Sequence, residues 1–226
     1  MPATETAGKQ KAIINEPGLL LSVVLPVLNE ERDLGALLDQ LQEQTGVPGE
    51  FEVLVVDGGS TDGTRELVLE RGRSWKSLHL LNNPKRRSGP ARNIGARAAK
   101  AQYLLYLDGH CSLPRKDYLA RVVAIFEESE ADCLCRPQPL NQLQEEGWSG
   151  PISKARHSPF GHNPGSDIYA DQPGYTDPES AGASYRLSVF RELGGYDERF
   201  DACEDVEFNH RVALGGYRSY RHPDLA

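Results

Sequence analysis

The sequence holds only four cysteines in 226 residues: Cys111, Cys133, Cys135 and Cys203. Their spacing matches no zinc pattern, and a chain of this length needs no disulfide framework, so they read as reduced thiols. Long apolar runs are also missing. The most apolar stretch, Leu19 to Leu28, is broken by Ser22 and Pro26 and falls short of the roughly 20 residues that cross a bilayer. Positive charge is not in excess: 25 Lys and Arg face 33 Asp and Glu, a formal charge of −8. That excludes a general nucleic-acid binder, which needs a net basic face. Met1 to Glu16 lacks the charged-then-apolar order of a signal peptide and reads as a flexible arm over residues 1–18. No internal repeat or low-complexity tract is present. With 38% hydrophobic and 26% charged residues, the remainder reads as globular, with one sizeable core.

Apolar runs and helical periodicity alternate through the first half. Leu21 to Leu25 reads as a strand ending at Pro26. Leu34, Leu37, Leu38 and Leu41 mark one face of a helix. Phe51 to Val56 is a second strand, stopped by the turn-rich run Asp57 to Thr64. A helix follows, with Ser60 or Asp62 as its cap. Leu78 to Leu81 is a weak third strand, and Pro90 opens a helix running through Ile94 to Ala101. Tyr103 to Leu107 is apolar on both faces, as a central parallel strand is, and Leu119, Val122, Val123 and Phe126 mark a further helix. This order predicts a parallel α/β sheet with helices on both faces. Ligands then bind beyond the carboxyl ends of the strands, where Asp57 and Asp108 sit. From Leu140 to Ser180 the sequence is rich in Gly, Pro, Ser and Asn, an uncommon length of irregular chain that is often functional. Helices resume at Arg186–Leu193 and Glu204–Leu214, each stopped by a glycine pair.

Four runs carry possible chemistry. Asp57 to Gly63 ends a strand; its glycines let main chain approach a ligand, and its carboxylate can accept from a ribose hydroxyl or a base N–H. It is not the G-x-G-x-x-G dinucleotide pattern, and alone it is equally a plain turn. Lys85 to Asn93 sets basic residues before a helix start, with Arg92 in the first turn. Cations there oppose the helix dipole, which favours an anionic ligand over a solvated loop. Asp108-Gly109-His110 follows a buried strand and offers one carboxylate and one imidazole to a divalent ion. Imidazole moves the preference from Mg²⁺ toward Mn²⁺. Glu204-Asp205 opens a helix, where acidic residues serve the dipole or supply a general base.

Taken in order, these runs resemble the inverting family-two glycosyltransferases with the GT-A fold. Pro26-Val27-Leu28-Asn29-Glu30-Glu31 is similar to their opening motif, Val55 to Thr64 to their nucleotide loop, and Gly89 to Ala96 to the helix facing the diphosphate. Asp108-Gly109-His110 takes the D-x-D place. Gly182 to Arg186 and Gly194 to Phe200 resemble the acceptor-side segment before Glu204-Asp205. The match spans Leu21 to Tyr220. The histidine in the metal motif resembles the succinoglycan-type glucosyltransferases of bacterial exopolysaccharide synthesis. A Q-x-x-R-W motif, as processive synthases carry, is absent.

The resemblance implies a GT-A nucleotide-diphospho-sugar transferase fold: a single Rossmann-like, mostly parallel sheet flanked by helices. It covers residues 19–226, with a nucleotide-sugar half at 19–138 and an acceptor and catalytic half at 139–226. It implies transfer of a sugar, glucose from a UDP-sugar by family weight, to a hydroxyl of a saccharide or lipid-linked saccharide, with inversion. Pro26, Val27, Asn29, Glu30, Asp57, Gly59, Arg92, Asp108 and Gly109 would hold the donor. Within this set Asp57 meets the base, Glu30 the nucleoside and Arg92 the diphosphate. Asp108 and His110 would hold Mn²⁺ or Mg²⁺. Asp205 would be the base and Glu204 its orienting neighbour, on the side of the sugar opposite the metal. Gly182, Ala183 and Trp148 would face the acceptor, with Arg156, His157 and His162 near an acceptor pyrophosphate. Leu140–Ser180 would form the lid. The expected setting is cytoplasmic, with peripheral membrane association through a partner, a lipid acceptor or a further segment; the chain is either a short enzyme or the soluble part of a longer one. Two alternatives stand beside this. A degenerate domain would bind nucleotide or a partner without turnover. A sugar-phosphate nucleotidyltransferase would carry a glycine-rich loop after the first strand, where Pro26 to Glu31 stands instead.

Overall fold

The computed structural model describes residues 18–113, 115–137, 151, 155, 158, 172–179 and 182–226. Strand β1 (Leu19–Val27) leads to α1 (Leu34–Gln42), β2 (Glu50–Asp57), α2 (Thr64–Gly72), β3 (Leu78–Asn82), α3 (Ser88–Ala98), β4 (Tyr103–Tyr106) and α4 (Tyr118–Ser129). The second half supplies β5 (Cys133–Cys135), β6 (Gly174–Thr176), β7 (Gly182–Arg186), α5 (Leu187–Glu192), α6 (Glu204–Leu214) and β8 (Ser219–Arg221). All eight strands join one sheet in the order β3-β2-β1-β4-β7-β5-β8-β6. Pairings are parallel from β3 to β4 and between β5 and β8, and antiparallel where β7 enters between β4 and β5 and where β6 meets β8. The mostly parallel α/β sheet expected from the sequence is therefore present.

The period-two pleat sorts side chains between two cores. Leu21, Val23, Leu25, Val53, Val55, Tyr103 and Leu105 face α1 and α4, whose leucines and valines close that side. Val24, Leu54, Val56, Leu104 and Tyr106 face α3, α5 and α6. The second core is aromatic: Tyr106, Tyr185, Phe190, Tyr196 and Phe208 pack with ring centroids 4.7–6.3 Å apart. Gly95 lets α3 press onto β1, since a Cβ there would lie 2.3 Å from Val24 Cγ1.

Several boundaries differ from the sequence expectation. β1 continues through Pro26 to Val27. Leu107 N–H donates to the Val24 carbonyl, so Pro26, two residues on, turns its missing N–H toward the side where β4 has already ended. The ladder loses nothing. α3 starts at Ser88, two residues before Pro90, and stops at Ala98, with Ala99 extended at ψ 140°. Proline is tolerated there because first-turn N–H groups lack helical partners in any case. β4 is parallel to β1 but antiparallel to β7, so it marks the turnover of the sheet and not a purely parallel interior. Within the stretch Leu140–Ser180, expected to be irregular, Gly174–Thr176 forms β6. Trp148, Arg156, His157 and His162 lie outside the described residues, as do residues 1–17 of the expected arm.

Candidate active site

The carboxyl ends of β1, β2 and β4 converge at one rim. Asp57, 1% exposed, is folded beneath its own loop. It accepts from the N–H of Gly59 at 3.0 Å and of Ser60 at 3.1 Å, from the Ser60 hydroxyl, and from Arg65 at 2.6 Å. Burial pushes its pKa up, but the Ser60, Arg65 and Gly59 donors outweigh that and hold it below the ordinary carboxylate value. Asp57 thus shapes the loop, in which Gly58 is buried and Gly59 is exposed.

The opening motif is stapled to this loop. Asn29, at φ 58°, accepts from Thr61 N–H at 2.8 Å, and its own N–H donates to Ser60 Oγ at 2.9 Å. Glu30 N–H donates to Thr64 Oγ1 at 2.9 Å, and Glu31 accepts from Gly63 N–H at 3.1 Å. Neither expected cap stands at the start of α2: the N-cap is Gly63, and Asp62, one residue earlier, accepts from Thr64 N–H at 3.0 Å. Of the basic run, Lys85 and Arg87 pair with Glu198 and Asp201. Arg86, at φ 59°, lines a cleft of 260 Å³ with Pro26, Val27, Gly58, Asp108 and His110.

Arg92 is the central cation. Its Nη1 lies 2.8 Å from Glu204 Oε1 and its Nη2 3.2 Å from Asp108 Oδ1. The guanidinium carbon stands 6.0 Å from the ring centres of both Tyr106 and Tyr196. Ser88 also donates to Glu204. Glu204 is therefore a buried anion with two donors, joining α6 to α3. This orientation explains why a cation is tolerated near the start of α3.

Asp108 and His110 flank Gly109, where a Cβ would sit 3.0 Å from both Glu30 Cγ and Val27 Cγ1. The Asp108 carboxylate is half exposed, and His110 is 63% exposed with Nδ1 at 3.2 Å from Glu30 Oε1. That hydrogen bond raises the imidazole pKa above its ordinary value. An exposed carboxylate and an imidazole whose second nitrogen is tied to a carboxylate form a donor set that fits a divalent cation. Among the described residues no group of three His, Cys, Asp or Glu gathers as a metal cage, so a cation held by Asp108 and His110 would need ligand oxygens or water at its other positions.

A second cleft, 170 Å³, lies beyond Asp108 and is lined by Arg92, Cys111, Arg136, Gly182, Ala183 and Asp205 among others. Asp205 is exposed at the first turn of α6, its Oδ1 accepting from Val206 N–H at 2.9 Å. Asp108 belongs to both clefts. The sequence reading missed Arg136, Cys111 and Ser88. Arg136 directly follows β5, and only its position beyond a strand end could have marked it. A larger groove of 590 Å³ between α2 and β3 holds none of the motif residues.

The Glycosyl transferase family 2 model matches residues 22–194. The succinoglycan biosynthesis protein ExoA of Rhizobium meliloti is 32% identical over 201 residues, covering 87% of this chain and 58% of ExoA. The chain thus spans less than two thirds of that relative. Among solved structures, S. aureus TarS 1–349 in complex with UDP superposes with TM-score 0.68 at 23% identity, over 92% of this chain and 59% of that one. The mannosyltransferase PcManGT from Pyrobaculum calidifontis, in complex with GDP-Man and Mn²⁺, superposes with TM-score 0.67 at 22% identity, over 91% and 55%. These likenesses establish the GT-A fold.

Proposed function

The chain belongs to glycosyl transferase family 2, and from that premise we propose that it moves a sugar from a nucleoside diphosphate sugar to a hydroxyl of a saccharide or lipid-linked saccharide acceptor, with inversion. The setting is surface polysaccharide assembly, and UDP-glucose is the first donor to test. The similarity to a succinoglycan biosynthesis protein and the UDP complex of a structural neighbour support this choice. Among the described residues no helix is long and apolar enough to cross a membrane. A lipid-linked acceptor would bring the protein to the inner face of the membrane.

One observation carries the reading: Asp108 stands where two clefts meet, one lined by the opening motif and Arg86, the other by Asp205. The first cleft takes the nucleoside diphosphate, with the main chain of Val27, Asn29 and Gly59 toward the nucleoside and Arg86 toward the phosphates. The second takes the acceptor, bounded by Gly182, Ala183 and Arg136. The transferred sugar lies between them, near Asp108. Asp205 accepts the proton of the attacking hydroxyl, a contribution of typically about 10²–10⁴-fold. Its placement across Asp108 from the diphosphate cleft suits attack from the face opposite the leaving group. Arg92 supports charge at the junction while holding Glu204, so Glu204 is a positioning group and Asp205 the base. Asp108 and His110 would hold a divalent cation, which when bound stabilises negative charge on the departing diphosphate.

Isothermal titration of UDP, GDP, dTDP and ADP, each with Mn²⁺, Mg²⁺ or EDTA, tests the donor site. One nucleotide binding tightly with metal is expected. Failure of all four to bind removes the reading.

A further inference from the structure

Glu30 was assigned to the nucleoside by resemblance, but its carboxylate is aimed elsewhere. Its Oε1 lies 3.2 Å from His110 Nδ1, across 80 positions of sequence. The pair is held in place from both sides. The Glu30 N–H donates to Thr64 Oγ1 at 2.9 Å, and its carbonyl accepts from Asp33 and Leu34 at the start of α1. On the other side Gly109 packs so tightly on Glu30 that a Cβ would come within 3.0 Å of its Cγ. With Glu30 accepting at Nδ1, the neutral ring carries its proton there, and Nε2 keeps its lone pair. His110 and Asp108 line the same cleft as Arg86, and the ring is largely exposed.

We propose that Glu30 is a positioning residue for the cation site: it holds Nδ1–H of His110, turns Nε2 into the cleft, and biases the site toward Mn²⁺ over Mg²⁺. The inference rests on the donor-site reading above and assigns Glu30 a task distinct from nucleoside recognition. The physical basis is twofold. A carboxylate behind a ligating histidine fixes its tautomer and raises its basicity, and removing such a partner typically weakens metal binding by about 10–100-fold. An imidazole donor also suits Mn²⁺ better than the harder Mg²⁺, which prefers oxygen.

The test is direct titration of Mn²⁺, with free ion followed by electron paramagnetic resonance, on the full chain saturated with whichever of UDP, GDP, dTDP or ADP the wild type binds. Glu30→Ala should weaken Mn²⁺ by about 10–100-fold and leave nucleotide affinity in EDTA unchanged. Glu30→Gln, which can still accept from Nδ1–H, should recover part of the loss. His110→Asp should lower the ratio of Mn²⁺ to Mg²⁺ affinity. Unchanged Mn²⁺ affinity in Glu30→Ala overturns the proposal. So does an equal loss of nucleotide affinity in EDTA, which returns Glu30 to the nucleoside. A wild type that binds no nucleotide overturns the donor-site reading itself, a result separable from both.

Discussion

Arg92 Nη1 lies 2.8 Å from Glu204 Oε1, tying α3 to α6 across 112 positions of sequence. Both side chains are largely buried, so removing Arg92 leaves Glu204 without its counter-charge. The same guanidinium reaches Asp108, which makes this ion pair the mechanical link between donor and acceptor sides of the rim.

Arg92→Gln should therefore destabilise the protein, by roughly 3–5 kcal/mol by analogy with other broken buried pairs. Glu204→Gln should cost less, because an amide still accepts from Ser88. A double-mutant cycle by denaturant melting should give a coupling of roughly 1–3 kcal/mol. Additive losses would show that the pair is not a unit.

Asp57 sets an acid limit on stability. Its folded pKa lies below the unfolded value because Ser60, Arg65 and Gly59 donate to it more strongly than burial opposes it. Its contribution is present above the unfolded pKa, near 3.9, and is lost as pH falls through the folded one. Asp57→Asn should remove roughly 1–3 kcal/mol at neutral pH and flatten the acid limb of the stability profile. An unchanged acid limb would assign that limb to other carboxylates.

Gly95→Ala probes the contact of α3 with β1. A Cβ 2.3 Å from Val24 Cγ1 forces one element to move, and overpacking of this kind costs about 1–3 kcal/mol. Val24→Ala in the same chain should relieve part of that loss. A fully stable Gly95→Ala would mean that the helix shifts freely.

Arg136 lines the cleft that holds Asp205 and not the one that holds Arg86, and the former is the proposed acceptor side. Arg136→Gln should raise the acceptor KM by roughly tenfold, about 1.4 kcal/mol, with nucleotide affinity unchanged. Equal loss of nucleotide affinity in calorimetry would move Arg136 to the donor side.

The first half of the fold was legible because its elements carry long, periodic signals. The leucines at 34, 37, 38 and 41 are all buried on one face of α1, as their spacing requires, and at the rim Asp57 ends β2 while Asp108 lies two residues beyond β4. β5, β6 and β8 were not legible, since three residues cannot display a period. β7 carried no strand signal of its own, and the sequence showed regular structure resuming only with the helix that follows it. Its entry between β4 and β5 is a long-range event, and it is what brings Arg136 beside Gly182. The Glu30–His110 and Ser88–Glu204 pairs were hidden for the same reason. Each partner looked ordinary in its own segment, and only the packed sheet places them together. The basic loop was read as facing an anion, whereas Lys85 and Arg87 are engaged with Glu198 and Asp201, and Arg86 and Arg87 both line the cleft.

The central claim is that Asp205 takes the proton of the acceptor hydroxyl while the donor is held across Asp108. Its most direct test compares wild type and Asp205→Asn in single-turnover transfer from the nucleotide sugar that binds, with nucleotide affinity measured alongside. The account predicts transfer reduced by about 10²–10⁴-fold with nucleotide affinity unchanged. Transfer at the wild-type rate in Asp205→Asn would contradict it.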